Sequence, residues 1–255
     1  MKGKDIGVVL VGEAVEVLRV ASEREFGSLE ELKDYTIESL LPQNSEQVRR
    51  RYASLLTKRL FDDDPYFDPD ADVPLDTPLI RATKRMDEKA LELAILYHFA
   101  HSNELLRMTM VDFLFPASDE EKFVTSRDFN SFLNQHDIDN VERTKKDLLR
   151  CFSEFGILES SDAETYEFTG RQSLDAFAYA IHHELGEPRM YFIDDILDSL
   201  TRRALLMSKQ TVHDMVYDGW HAEYWEYSFI SDMEQVKLYD TPHDFSDRLT
   251  SPGES

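Results

Sequence analysis

One segment, residues 125–169, constrains the fold of this chain more than any other. It reads TSRDFNSFLNQHDIDNVERTKKDLLRCFSEFGILESSDAETYEFT, and apolar residues recur at helical spacing in two consecutive stretches. Gly156 follows the second stretch, at a position where glycine commonly ends a helix. Two short apolar runs, residues 157–158 and 166–168, then flank a polar loop. This order of helix, turn, helix and two strands predicts a winged helix-turn-helix unit, whose second helix usually enters a nucleic-acid groove.

Helical periodicity extends over most of the remaining sequence. Apolar residues recur at helical spacing in residues 28–41, 45–61 and 87–114, and the last stretch breaks near Ser102 and Asn103. The chain has nine glycines and nine prolines in 255 residues, too few for a turn-rich β architecture. The sequence therefore predicts a mainly α fold, in which a helical N-terminal bundle precedes one or two winged helix-turn-helix-like units with short β-hairpin wings.

These patterns divide the chain into four parts. Residues 1–116 form a predicted helical N-terminal domain, with an acidic, proline-rich loop at 62–79. Residues 117–170 form the winged-helix-like unit. Residues 171–240 form a predicted C-terminal helical unit with a second β-hairpin, because helices precede two strand patterns there as they do in the first unit. The polar residues 241–255 are predicted to be a flexible tail.

The chain is strongly acidic. It has 51 Asp and Glu residues against 28 Lys and Arg residues, and its formal net charge is −23. Such a chain repels a phosphate backbone at low salt. The acids are spread along helix faces and loops, which is typical of proteins that live in high salt, where a Debye length of about 3 Å at 1 M screens self-repulsion. The composition therefore predicts a halophilic source, which we expect to be an archaeon. The alternative is a mesophilic protein that happens to be acidic.

Basic residues are concentrated on the predicted helix at 45–59 in spite of this charge, whereas the four bases on the second helix of 125–169 are offset by four acids. The stretch at 45–59 has a single acid, Glu46, and at 3.6 residues per turn the basic residues of the second helix in 125–169 can share one face. The predicted DNA-contacting residues are Arg49, Arg50, Arg51, Lys58, Arg59, Arg143, Lys146 and Arg150. The alternative is that these side chains form solvated faces or pair with the chain's own acids.

No set of residues in the sequence indicates catalysis, a metal or a cofactor. His98 and His101 are three apart on a predicted helix and could share a metal, but their apolar surroundings favour structural histidines. His182 and His183 are adjacent, so on a helix they point about 100° apart and are not expected to make a site. The sequence offers no nucleophile with a base and no complete metal shell, which predicts a non-enzymatic protein.

The single cysteine, Cys151, excludes an intramolecular disulfide framework and indicates a reducing compartment. No apolar run approaches the ~20 residues that a membrane-spanning helix needs. We therefore expect a cytoplasmic protein with no membrane partner.

A series of segments resembles one family in both composition and order. In chain order they are GEAVEVLRVA, SLEELKDYTIESLL, RRRYASLLTKRL, ALELAILYHFAHSNELLRMTMVDFLF, TSRDFNSFLNQH, ERTKKDLLRCFSEFGIL, AFAYAIHHELG and QVKLYD. Together they span roughly residues 10–240 and resemble the BrxA proteins of BREX phage-exclusion systems. The acidic loop at 62–79 is longer than this family leads one to expect, and the net charge is more negative. The resemblance implies a small, mostly helical, non-enzymatic component of a phage-defence system that binds DNA.

The function expected from the sequence is engagement of duplex DNA within a BREX-type complex, with other BREX proteins as partners. Phosphate contacts through basic helices would give little sequence preference. Two alternatives remain: a protein–protein adaptor that uses the winged segment for docking, and an RNA-binding helical protein.

Overall fold

The structure is a computed structural model and describes residues 10–71, 75–231 and 233–249. It is mainly helical, with two small three-stranded antiparallel sheets, which confirms the mainly α fold expected from the sequence. The helices that precede the first strand are α1 (Val11–Glu23), α2 (Leu29–Tyr35), α3 (Glu46–Thr57), α4 (Pro78–Thr83), α5 (Glu88–Ser102), α6 (Glu104–Met108) and α7 (Phe115–Glu120). Helices α2, α3 and α6 continue into π-helical turns at Thr36–Leu40, Lys58–Asp62 and Thr109–Leu114.

Helix α5 lies at the centre of the N-terminal half. Residues from Ala90 to Ala100 are buried around nearly the whole circumference of the helix, as expected of a helix that is apolar on every side. It ends at Ser102, and Asn103 caps the next helix by accepting a hydrogen bond from the Leu106 backbone N–H over 2.9 Å. The helix break predicted near Ser102 and Asn103 is therefore confirmed.

The next part of the chain builds the first sheet unit, residues 123–168. Its elements are β1 (Phe123–Thr125), α8 (Ser126–Gln135), α9 (Val141–Glu154), β2 (Leu158–Ser160) and β3 (Thr165–Phe168), and the strand order is β1-β3-β2. The Thr125 side chain accepts from the Asp128 N–H while Asp128 accepts from the Thr125 N–H, so α8 begins with a capping box. The two helices and the hairpin predicted for this segment are present, and β1 was not predicted.

The second sheet unit, residues 190–237, has a similar order of elements, but three helices instead of two follow its first strand. Helix α10 (Leu174–Leu185) precedes it, and its elements are β4 (Met190–Phe192), α11 (Ile193–Leu197), α12 (Leu200–Ala204), α13 (Lys209–His221), β5 (Glu226–Ile230) and β6 (Met233–Lys237). The strand order is β4-β6-β5, so the last strand again lies between the other two. The register pairs Tyr191 with Val236 in one strand pair and Tyr227 with Val236 in the other.

One contiguous apolar core joins all these elements, from Leu10 to Leu249. Helix α10 packs along α5 and is buried from Ala176 to His183, so the two helices carry the core from one half of the chain to the other. The predicted units therefore share a core, because each apolar helix needs the next unit to cover it.

The predicted flexible tail is wrong over residues 242–248. They form helix α14 (Pro242–Arg248), capped by Thr241, and Phe245 is fully buried against α10. The polar composition hid this helix because a single large apolar residue anchors it. Residues 250–255 lie outside the described residues. The loop predicted at 62–79 is present between the π-helical turn at Lys58–Asp62 and Pro78, with residues 72–74 outside the described part.

Candidate functional site

The basic residues of α3 are partly engaged by the chain itself. Arg49 is half-buried and its Nη1 donates to the Gln43 carbonyl over 2.7 Å. Arg50 is exposed and its Nη2 lies 2.8 Å from Glu46 Oε1, one turn away on the same helix. Arg51 and Lys58 are exposed. The outward face of α3 is therefore basic, although less so than its sequence suggested.

Arg59 does not belong to this face. It is only 5% exposed, and its guanidinium lies over the Phe99 ring, 5.0 Å from the ring centroid. The chain turns into a π-helical segment at Lys58, which rotates Arg59 towards α5. A phosphate cannot reach this guanidinium without opening the core, so Arg59 leaves the predicted DNA-contacting set.

Helix α9 presents the other predicted basic residues to solvent. Arg143 Nε lies 3.8 Å from Asp147 Oδ2, and Arg150 Nε lies 2.6 Å from Glu154 Oε1. Lys146 is exposed and forms no ion pair within the described part of the chain. The apolar face, with Leu148, packs inward, so the three bases are held outward by the amphipathic pattern of the helix.

The fold brings α3 and α9 to the same surface cleft. Tyr52 of α3 and Arg150 of α9 both line it, and its volume is about 470 Å³. Three carboxylates, Glu13, Glu92 and Glu154, also line this cleft. The two basic segments are therefore neighbours in space. Because the cleft between them is acidic, a polyanion would contact only the basic residues at its edges.

The second sheet unit carries an exposed apolar surface. At the β5–β6 hairpin Phe229 is 61% exposed and Ile230 is 56% exposed, and Met233 follows on β6. Tyr217 and Trp220 are exposed on α13. Trp225, between these exposed aromatic residues in sequence, is instead buried.

A buried polar cluster lies between three elements that are distant in sequence. Asp64 comes from the loop after α3, His98 from α5 and His183 from α10. Asp64 Oδ1 lies 3.2 Å from His183 Nε2, and Asp64 Oδ2 lies 4.0 Å from His98 Nδ1. Asp64 Oδ1 also accepts from the Tyr66 backbone N–H over 2.8 Å.

Each imidazole contacts a buried tyrosine hydroxyl through the ring nitrogen that faces away from Asp64. Tyr179 Oη lies 2.7 Å from His98 Nε2, and Tyr97 Oη lies 3.1 Å from His183 Nδ1. Burial raises the pKa of both tyrosines well above the ordinary value, so the hydroxyls stay neutral.

Burial sets the charge states in this cluster. It lowers the pKa of His98 to about 3, assisted by nearby His183, so this imidazole is neutral. For Asp64, burial acts to raise the pKa, but the hydrogen bond from His183 and the two imidazoles outweigh burial and hold it below the ordinary value. The cluster therefore contains a buried carboxylate beside neutral imidazole nitrogen.

The sequence indicated structural histidines at His98 and His101 and did not connect either of them with His183. In the structure the ring of His98 lies 4.7 Å from that of His183. His182 and His183 do diverge as expected: His182 stacks on Phe245 at 3.6 Å, and His183 faces Asp64. The sequence provided little indication of this cluster, because Asp64 is the last residue of an acidic triplet of the kind usually found in solvent-exposed loops.

Comparison with known proteins identified no relative of this chain. No protein-family model matches the chain, and neither does any curated protein or solved structure among those compared. Among the described residues, no helix combines the length and apolar character needed to cross a bilayer. The geometry of the chain itself therefore carries the functional argument.

Proposed function

We propose that this protein is a non-enzymatic, duplex DNA-binding component of a BREX-type anti-phage defence system, and that residues 123–168 act as a winged helix-turn-helix unit. The order β1-α8-α9-β2-β3, with β3 between the other strands, supports this reading. In such a unit α9 is the helix that approaches the groove. The BREX assignment rests on the resemblance of the sequence segments alone.

The exposed basic face of α9 is the observation that carries the proposal. Arg143, Lys146 and Arg150 lie on it, and Lys146 has no competing carboxylate partner among the described residues. The pairs of Arg143 and Arg150 are exposed i,i+4 pairs, which contribute about 0.3–0.5 kcal/mol each. Phosphates can therefore replace these carboxylates at small cost.

Helix α3 supplies a second contact region. Arg50, Arg51 and Lys58 are exposed on it, and the shared cleft places it beside α9. Contacts from both helices would go to phosphates, which position a protein on DNA without reading its sequence. The net charge of −23 opposes such binding, so a high-salt host that screens repulsion is part of the proposal.

The test is duplex DNA binding measured by fluorescence anisotropy over a range of salt. Once salt screens the long-range repulsion, we expect affinity to fall log-linearly with further salt, and the triple variant R143A/K146A/R150A to lower the slope by about 1 for each lost phosphate contact. Lys89→Ala is the matched control, because Lys89 is another exposed lysine without an ion pair in the described structure. Absence of binding at every salt at which circular dichroism shows a folded protein would reject the proposal.

Competition separates DNA from RNA as the ligand. A structured RNA of equal length should displace the duplex DNA poorly, because α9 enters a wide B-form major groove and the A-form major groove is deep and narrow. Preferential binding of the RNA would favour the RNA-binding alternative.

A protein–protein adaptor is the second candidate, and the exposed hairpin of the second sheet unit favours it. Phe229, Ile230 and Met233 present apolar side chains at one tip, a composition common at protein interfaces. The test is co-purification with a co-expressed large defence-system subunit after nuclease treatment. Phe229→Ser should abolish it, whereas Phe123→Ser, which removes an exposed phenylalanine from the first sheet unit, should not.

A further inference from the structure

We propose that Asp64, His98 and His183 form a binding site for a divalent transition metal ion of the zinc class. This site is separate from the basic helices and does not depend on the proposed DNA binding. The three residues offer one carboxylate oxygen and two imidazole nitrogens, all of which lie within 4.8 Å of one another.

The spacing of these atoms is close to that of a coordination shell. Bonds of about 2.0–2.1 Å to a tetrahedral zinc place its ligand atoms about 3.3 Å apart. The separation between Asp64 Oδ1 and His183 Nε2 is 3.2 Å, and that between Asp64 Oδ2 and His98 Nδ1 is 4.0 Å. The full set of one carboxylate oxygen and two imidazole nitrogens lies within 4.8 Å, so these atoms would have to close in by up to about 1.5 Å around the ion.

The far nitrogen of each imidazole already has the partner that a metal ligand needs. Histidine ligands usually hydrogen-bond through the nitrogen that does not face the metal, which fixes the ring and its tautomer. Tyr179 Oη does this for His98 Nε2 and Tyr97 Oη does it for His183 Nδ1. When a metal takes Nε2 of a neutral His183, its proton moves to Nδ1, which then donates to Tyr97.

A buried polar atom without a hydrogen-bond partner lies at the same site. Asp64 Oδ2 is buried and has no hydrogen-bond partner in the structure, although a buried carboxylate oxygen without one is costly. A cation between Asp64 and His98 would satisfy this oxygen. The orphaned atom is a second observation, independent of the spacing of the ligand atoms.

The donor set selects the class of ion, and the position suggests its role. Two imidazoles suit zinc and its neighbours, whereas calcium and magnesium prefer oxygen ligands. The ligands come from the loop after α3, from α5 and from α10, and all three are buried. The ion would fasten this acidic loop onto the central helix pair, with water completing the shell.

The experiment uses the full chain after removal of metal with a chelator. Addition of Zn²⁺ should raise Tm by about 5–10 °C at a hundredfold excess of free metal over Kd, whereas Mg²⁺ should not. Co²⁺ should give the visible absorption of a four-coordinate nitrogen and oxygen site, without thiolate charge transfer. No shift and no cobalt spectrum would overturn the proposal and leave a hydrogen-bonded cluster without a metal.

Variants identify the ligands. Asp64→Asn keeps the size of the side chain and an acceptor for His183, and we expect it to fold in the absence of metal but to lose the Zn²⁺ shift. His98→Asn should weaken binding at least tenfold. His101→Asn is the matched control, because His101 lies one turn from His98 on α5 but outside the ligand set, and it should bind as the unsubstituted chain does. Equal loss in His101→Asn, or retention of the shift in Asp64→Asn, would refute this assignment.

Discussion

Gly219 of α13 lies directly against the indole of Trp225. A Cβ atom at position 219 would be 2.1 Å from Cζ2 of that ring. Trp225 is 2% exposed, and its Nε1 donates to the Val216 carbonyl over 2.8 Å, so the ring is fixed and cannot give way. The close approach of α13 to the tryptophan therefore requires a residue without a side chain.

Gly219→Ala should destabilise the protein by about 2 kcal/mol or more, although alanine is the better helix former by about 1 kcal/mol. The measurement is the free energy of unfolding from urea denaturation. Gly12→Ala on α1 is the control, because nothing lies within 4 Å of a Cβ there, and it should stabilise by about 0.5 kcal/mol. The same sign for both substitutions would contradict the packing argument.

Local patterns predicted the parts of the fold that local interactions determine. Helical periodicity and polar breaks located α5, the break at Asn103 and the pair α8–α9, because each depends on residues a turn apart. Strands β1 and β4 were missed, since these three-residue strands form only by pairing with β3 and β6, whose paired residues lie 40 to 47 positions further along the chain. Composition alone could not show that Phe245 anchors α14.

The buried cluster shows the same limit for a site. Asp64 and His183 are 119 residues apart, and neither stands in a recognisable motif. The basic residues were easier to find, because the charge of a residue can be read from the sequence. Whether that residue is buried cannot be read in this way. In sequence Arg59 is therefore equivalent to the other basic residues of the predicted set. Its burial becomes apparent only in the structure, where the π-helical segment that begins at Lys58 directs it into the core.

Arg59→Ala should lower stability without specifically lowering DNA affinity. Its side chain packs over Phe99 in the core, so truncation leaves a cavity and should cost about 2–4 kcal/mol. Lys58→Ala, at the exposed neighbouring position, should change stability by less than about 0.5 kcal/mol. Denaturation curves together with anisotropy on the folded fraction give both quantities. A loss of affinity in folded Arg59→Ala as large as that in Lys58→Ala would return Arg59 to the DNA-contacting set.

Arg171 connects the first sheet unit to the central helix. Its Nη1 donates to the Phe155 carbonyl over 2.7 Å, and its Nη2 pairs with Glu92 of α5. Arg171→Ala should cost about 2–3 kcal/mol, because both side chains of the pair are largely buried and Glu92 would be left unpaired. A double-mutant cycle with Glu92→Gln should give a coupling of about 1–2 kcal/mol.

The exposed pair of Arg150 and Glu154 is the control for that cycle. It has a similar ionic contact on the surface of α9, and its coupling should be below about 0.5 kcal/mol. Equal couplings for the two pairs would show that burial does not strengthen the contact between Arg171 and Glu92.

Acid should destabilise the fold partly through His182. Burial lowers the pKa of this imidazole to about 4, against about 6.5 in an unfolded chain, and its ring stacks on Phe245. Between these two values the unfolded state binds a proton that the folded state excludes, so stability falls as pH drops from 6.5 to 4 and is unaffected above this window. The loss over the window is roughly 3 kcal/mol for this group.

His182→Gln removes this titrating group and retains a donor for the Ala178 carbonyl. Between pH 4 and 6.5, its unfolding free energy should depend less steeply on pH, by a slope that corresponds to the uptake of up to one proton on unfolding. Carboxylates titrate equally in both proteins, so identical slopes would mean that His182 binds its proton equally well in the folded and unfolded states.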